Sequence, residues 1–214
     1  MGYGDWIMAT ADAKRVNEKF GVRVQFGDGK KAYWDVVFEN NPRIAQTLEP
    51  GETFAWIPNF TGCRPYIRSI GSKRYEFNHD FRASPGELYL PVKEKSDYIL
   101  VEPNIKDKFW IGRNKDWGFN NWQKLVDKLD HNFLQIGERD RKKLKDVRFE
   151  KTDTFKEAIY WLSGAKLLIT TDGALHHAAA ALGNSDIAWP KPYYAGRDQL
   201  VRLAQRGEAL TMKV

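Results

Sequence analysis

With 214 residues, 42% hydrophobic and 29% charged, the chain has an ordinary globular composition and room for one substantial core or two small domains sharing a cleft. No apolar run approaches the roughly 20 residues that span a bilayer. Residues 1–15 lack the basic start and apolar core of a signal peptide, and the lone Cys63 excludes an intramolecular disulfide framework, so a reducing, cytoplasmic setting is expected. The net charge of +6 suits a partner carrying phosphates as well as it suits a plain lysine-rich surface.

Along the first half, GDWIMATADAKRVNEKFG (4–21) reads as a turn followed by a helix, and VRVQF (22–26) as a strand ended by the turn GDG. YWDVVF (33–38), FAWI (54–57) and ELYL (87–90) are short apolar or aromatic runs among Gly, Pro and Asn, which predicts a small α/β domain with irregular loops. CRPYIRSIGSKRYEF (63–77) interleaves Arg64, Arg68, Lys73 and Arg74 with Tyr66, Tyr75 and Phe77. That alternation suits single-stranded or flipped-base nucleic acid, and equally a β-rich loop region with solvated arginines.

A composition shift at LPVKEKSDYILVEPN (90–104) divides the chain into residues 1–95 and 96–214. Beyond it, YILVEP (98–103) reads as a buried strand stopped by Pro103, and GFNNWQKLVDKL (118–129) sets Trp122, Leu125, Val126 and Leu129 at helical spacing. FLQIG (133–137) is another strand, and RDRKKLKD (139–146) a solvated helix face. TFKEAIYWLSGA (154–165) is a helix with Thr154 as N-cap, Glu157 as its capping-box partner and Gly164 at its end. KLLIT (166–170) is a strand, followed by a turn at Asp172 and an alanine helix to Gly183. DIAW (186–189) and GRDQLVRLAQRG (196–207) add a last strand and a closing helix. Strands alternating with helices mean βαβ units and a doubly wound parallel sheet.

TTDGALHHAAAALG (170–183) gathers an acidic residue, a glycine and two histidines at the mouth of a helix. In a doubly wound sheet, ligands sit beyond the carboxyl ends of strands where a helix begins, and the free N–H groups of the first helical turn attract phosphate. Asp172 also has the plain reading of an N-cap, and cap and anion site use different N–H groups. His176 and His177 point about 100° apart, which predicts one packed inward and one facing solvent. A metal site is not expected, since His79 and His131 are scattered and there is no D-x-D triplet. Neither G-x-x-x-x-G-K-[ST] nor a G-x-G-x-x-G after a strand occurs, which sets aside P-loop and dehydrogenase-type proteins.

TFKEAIYWLSGAKLLITTDGALHHAAAALG (154–183) resembles the signature region of glycosyltransferase family 9, the ADP-heptose:lipopolysaccharide heptosyltransferases. Asp172 and His177 fall on the Asp and His of the signature D-x-G-x-x-H-x-A-A-A-L-G, while Ala174 stands where the family usually has glycine and Gly173 comes one place earlier. NKDWGFNNWQKLVDKL (114–129) is similar to the K-x-W block, through Lys115, Trp117 and Trp122, and GYGDWIMATADAKR (2–15) to the N-terminal G-D loop and helix, with Asp5 on the family's Asp. The resemblance covers residues 98–190 and the first fifteen.

It implies an α/β, GT-B-like fold of two Rossmann-like halves with parallel sheets, here a reduced acceptor-side domain (1–95) and a sugar-nucleotide-binding domain (96–214), in a compact member of phage or mobile-element type. It further implies metal-independent, inverting transfer from a nucleotide-diphosphate sugar, an ADP-sugar by preference. In that chemistry Asp5 is the candidate base, or else a cap of its own helix. Lys115, Asp172, Gly173, Ala174, Leu175 and His177 would meet the donor, Glu138 its ribose, and Asp153 would lie near its base. Arg64, Arg68 and Arg74 are candidate acceptor contacts, for a glycan, lipopolysaccharide or modified DNA base. Trp189 and Tyr193 either line the cleft or pack in the core. A non-catalytic nucleotide- or sugar-binding module is the alternative, and a homo-oligomer is compatible with either.

Overall fold

The computed structural model describes residues 2–28, 30–59, 67–71, 74–77, 84–104, 116–171, 173–183 and 187–188. The chain divides into two compact units, Met1–Tyr89 and Leu90–Lys213.

In the first unit, helix α1 (Tyr3–Phe20) buries Trp6, Ile7, Ala9, Thr10, Ala11 and Ala13. It ends at Gly21, whose φ of 68° is the left-handed conformation that closes helices. Strand β1 (Arg23–Gly27) pairs antiparallel with β2 (Ala32–Tyr33) and parallel with β3 (Phe54–Pro58), in the order β2-β1-β3. The GDG turn is held by Asp28, whose carboxylate accepts from the N–H groups of Lys30 and Lys31 and from the Tyr33 hydroxyl. YWDVVF is not one strand: after β2 it coils into a 3-10 turn, Val36–Phe38, because Asp35 accepts from the Val37 N–H and caps it. Phe38 then stacks on Phe26 with ring centroids 4.9 Å apart and receives the edge of Trp6 at 5.1 Å, forming the aromatic centre of the unit.

ELYL is likewise irregular rather than a strand. It is pinned to α1 instead of to a sheet, since Glu87 donates its N–H to Thr10 Oγ1, which itself donates to the Ile7 carbonyl, each at 2.7 Å. Gly86 permits that approach, since a Cβ there would lie 2.2 Å from the Ile7 oxygen. The basic-aromatic segment forms a separate antiparallel hairpin, β4 (Ile67–Gly71) and β5 (Arg74–Phe77).

The second unit is built on a five-stranded sheet in the order β10-β9-β6-β7-β8, with every pairing parallel. Its strands are β6 (Ile99–Glu102), β7 (Phe133–Gly137), β8 (Arg148–Lys151), β9 (Leu167–Thr170) and β10 (Ile187–Ala188). Three of its helices are described: α2 (Phe119–Lys128), α3 (Phe155–Gly164) and α4 (Ala174–Ala181). Helix α2 seats Trp122, Leu125 and Val126 on the face formed by Ile99, Val101, Phe133 and Ile169. Alternate residues point to the opposite face, where Leu100, Leu134 and Leu168 are fully buried, as are Ile159 and Leu162 of α3. Covered on both sides, the inner strands are nearly continuous apolar runs.

β8, RFEK, falls in a stretch to which the sequence assigned no element; with three charges in four residues it is a strand at the sheet edge, where no apolar face is needed. RDRKKLKD is not a helix but a turn-rich loop. Its shape comes from a buried glutamine: Gln135 donates to the Lys142 carbonyl and accepts from the Leu144 N–H, both at 2.8 Å, drawing Leu144 into the core.

Candidate functional site

From β6 the chain builds outward through β7 to β8, then returns across the sheet to lay β9 on the other side of β6 and continue to β10. The strand order therefore reverses between β6 and β9. At such a reversal the connections leave in opposite directions and open a crevice at the carboxyl ends of the two strands. The last residues of those strands, Glu102 and Thr170, are partners in register.

Their side chains meet. Thr170 Oγ1 lies 2.9 Å from Glu102 Oε2 and 3.2 Å from the Thr171 carbonyl oxygen. Burial pushes the Glu102 carboxyl up to about 7, although the hydrogen bond with Thr170 and the charge of Arg141 act in the other direction. Sequence reasoning missed Glu102. The signal was an acidic residue ending an otherwise apolar strand, YILVEP.

Gly173, the N-cap of α4, has extended backbone that any residue adopts. A Cβ on Gly173 would meet nothing closer than the Thr171 carbonyl at 3.9 Å, so packing within the described residues does not demand the glycine. In α4, Leu175, Ala178 and Ala179 are buried and seat the helix against its neighbours. Ala174 stands half-buried in the first turn. The expectation for the histidines needs correcting: His176 and His177 are both half-buried, and their rings lie 5.4 Å apart.

Glu138 follows β7 and accepts from Arg141 at 3.2 Å, with an exposed side chain. Asp153 follows β8, pairs with Lys151 at 2.5 Å and is also exposed. Next to it, Thr154 caps α3 by accepting from the Glu157 N–H, while Glu157 accepts from the N–H groups of Asp153 and Thr154, the capping box expected from the sequence. Asn104, just beyond β6, donates to the Lys142 carbonyl and ties the post-β7 loop to the same edge. The carboxyl edge of this unit thus brings together Glu102, Glu138, Asp153, Thr170, Thr171, Gly173 and the start of α4, because parallel strands all end there.

Asp5 belongs to the first unit. It sits in the first turn of α1, where its Oδ2 accepts from the Gly2 N–H at 3.0 Å and its own N–H donates to the Gly2 carbonyl at 3.1 Å. Gly2, not Asp5, is the N-cap residue. Arg68 and Arg74 lie on β4 and β5, with Arg68 opposite Glu76 in register. Trp117 and Trp122 pack edge to face at 5.1 Å as part of the core. Lys115, Asp172, Arg64, Trp189, Tyr193 and the closing helix lie outside the described residues. Among the described residues, no group of three or more His, Cys, Asp or Glu is placed to hold a metal ion, and no helix is long and apolar enough to cross a membrane.

No protein-family model matches the sequence, and no curated protein matches it. Among solved structures, the chain is similar to the bacterial iron-containing dodecameric glycosyltransferase TibC from enterotoxigenic E. coli H10407, with a TM-score of 0.58 and 12% identity over 88% of this chain and 57% of that one. Partial likenesses to the E. coli heptosyltransferase WaaC have TM-scores of 0.40 with ADP (14% identity, 52% of this chain, 44% of that one) and 0.42 with ADP-2-deoxy-2-fluoro heptose (14% identity, 56% and 45%). The chain spans about half the length of the solved structures it matches. The α/β, GT-B-like fold implied by the sequence resemblance is the fold the structure has, and TibC shares it.

Proposed function

We propose that the chain is a glycosyltransferase that moves a sugar from a nucleotide-diphosphate donor to an acceptor hydroxyl. The observation that carries this reading is the reversal of strand order between β6 and β9, at whose carboxyl ends β9 runs through Thr171 and Gly173 into α4. The first-turn N–H groups of a helix so placed stabilise the charge that grows on a leaving diphosphate. The fold shared with TibC, named a glycosyltransferase, supports the same class of reaction.

In this reading the second unit holds the donor, an ADP-sugar by the sequence resemblance and in keeping with the ADP-heptose bound to TibC. Lys115 and the segment from Asp172 to Leu175 contact the diphosphate, His177 orients Asp172, and Glu138 and Asp153 flank the nucleoside. Asp5 in the first unit takes the acceptor proton as the hydroxyl attacks, which requires that it exchange its bond to Gly2 for one to the acceptor. Transfer inverts the anomeric carbon and needs no metal. The acceptor is a glycan or a modified DNA base, the latter suiting a phage-type enzyme whose β4–β5 hairpin bears Arg68 and Arg74. Cytoplasmic action follows from the use of a nucleotide sugar.

Release of nucleoside diphosphate in the presence of glycan or DNA acceptors tests the proposal, using the wild type and Asp5→Asn. Acceptor-dependent release that is lost in Asp5→Asn supports it. Unchanged turnover in the variant removes Asp5 as base. Nucleotide binding with no turnover on any acceptor supports the rival reading of a non-catalytic binding module.

A further inference from the structure

The carboxyl edge that the donor reading assigns to a diphosphate carries a carboxyl of its own at the end of β6. Glu102 ends β6 beside Thr170, and the Thr170 hydroxyl has two acceptors within reach but only one proton to give. With Glu102 ionised, Thr170 shares that proton between Glu102 and the Thr171 carbonyl. With Glu102 neutral, its carboxyl donates to Thr170 Oγ1 while Thr170 donates to Thr171, and each contact becomes a full hydrogen bond. The neutral arrangement links the ends of β6 and β9 to the Thr171 carbonyl, and it does so without charge.

Among the described residues, the loop after β7 carries Glu138, Arg139, Asp140, Arg141, Lys142 and Lys143, and the charge of Arg141 acts on Glu102. After β7 stands Arg141, bonded to Glu138. The end of β9 and the residue after it contribute the hydroxyls of Thr170 and Thr171, and α4 carries His176 and His177. Ahead of α2 is Asp116, which accepts from the Gly118 N–H. Burial holds the Glu102 carboxyl near neutrality, so both of its forms are accessible in ordinary buffers.

We propose that Glu102 is a positioning residue of the donor crevice that works as a neutral acid, fixing Thr170 and the turn into α4 while presenting no negative charge to a nucleoside diphosphate. The inference rests on the donor reading above. Where free Glu102 is ionised, binding takes one proton from solvent, Glu102 carboxylate plus proton plus nucleotide giving neutral Glu102 in the complex.

Isothermal titration of the full chain with ADP, from about pH 6 to about pH 8.5 and in two buffers of different ionisation enthalpy, reads this directly. In wild type, affinity should fall by about tenfold per pH unit above neutrality relative to Glu102→Gln, with close to one proton taken up at the alkaline end. The amide of Glu102→Gln keeps an uncharged donor to Thr170, so that variant should bind without this proton. Ionisation of ADP itself is common to both proteins and cancels in the comparison. Should Glu102→Gln fail to fold, Glu102→Met, equally unable to ionise, serves as the reference for the same comparison. Parallel pH profiles with no extra proton in wild type would overturn the role of Glu102 and leave the donor site standing. If ADP, UDP, GDP and CDP all fail to bind at every pH, the donor reading falls and this inference with it.

Discussion

Glu102 shows how one side chain couples stability to the site. Its carboxyl is neutral more readily in the folded chain than in the unfolded one, where it ionises with an ordinary glutamate pKa of 4.5. The stability it supports is therefore complete below that value and is lost as pH rises through about 7. Glu102→Gln lacks this loss. Urea unfolding should show the variant matching wild type at acid pH and exceeding it at mildly alkaline pH by roughly 1–3 kcal/mol, the upper end being discounted because the side chain is only half-buried. Equal pH slopes for the two proteins would mean that burial does not raise the group. Gln135 is the second decisive residue, since it satisfies two backbone groups of the loop from a fully buried position. Gln135→Leu should cost about 2–3 kcal/mol by stranding the Leu144 N–H and the Lys142 carbonyl, and should speed hydrogen exchange at Leu144. An unchanged exchange rate there would contradict the role given to Gln135. Neither residue is visible to a periodicity argument, because each is a polar position in a run read as apolar, and its partners lie outside that run, in β9 for Glu102 and in the following loop for Gln135.

Elements were legible where a local rule suffices. The capping box at Thr154 and Glu157 involves four consecutive residues, so the start of α3 could be read from the sequence to the residue. Thr154→Ala should lower stability by about 1 kcal/mol in urea unfolding, and a loss well below that would mean the first turn of α3 draws its support from Phe155 packing instead. The spacing of Trp122, Leu125 and Val126 likewise gave α2 its buried face. Legibility failed where tertiary contacts decide. β8 is a strand because β7 offers it an edge, the 139–146 loop is irregular because Gln135 holds it, and ELYL is irregular because Thr10 and Gly86 dock it on α1. For the candidate site, the strand-turn-helix of residues 166–181 was readable as a motif. That it borders the end of β6, and so Glu102, is a property of strand order, which no short window contains.

At the scale of the whole molecule, the chain combines a first unit centred on an aromatic cluster with a second unit whose parallel sheet reverses its strand order between β6 and β9. The likeness to TibC places this architecture among glycosyltransferase folds, while function rests on whether the crevice at β6 and β9 accepts a nucleotide sugar. The most direct measurement is thermal unfolding with ADP-, UDP-, GDP- and CDP-sugars in turn, first without added metal and then with magnesium. A ligand present at about 100 times its dissociation constant stabilises the folded state by roughly 2.7 kcal/mol, a shift of several degrees. The account predicts such a shift, without metal, for one of the four. A cooperatively melting protein that none of them stabilises would contradict it, leaving the turn from Thr170 to Ala174 as the start of a packed helix and nothing more.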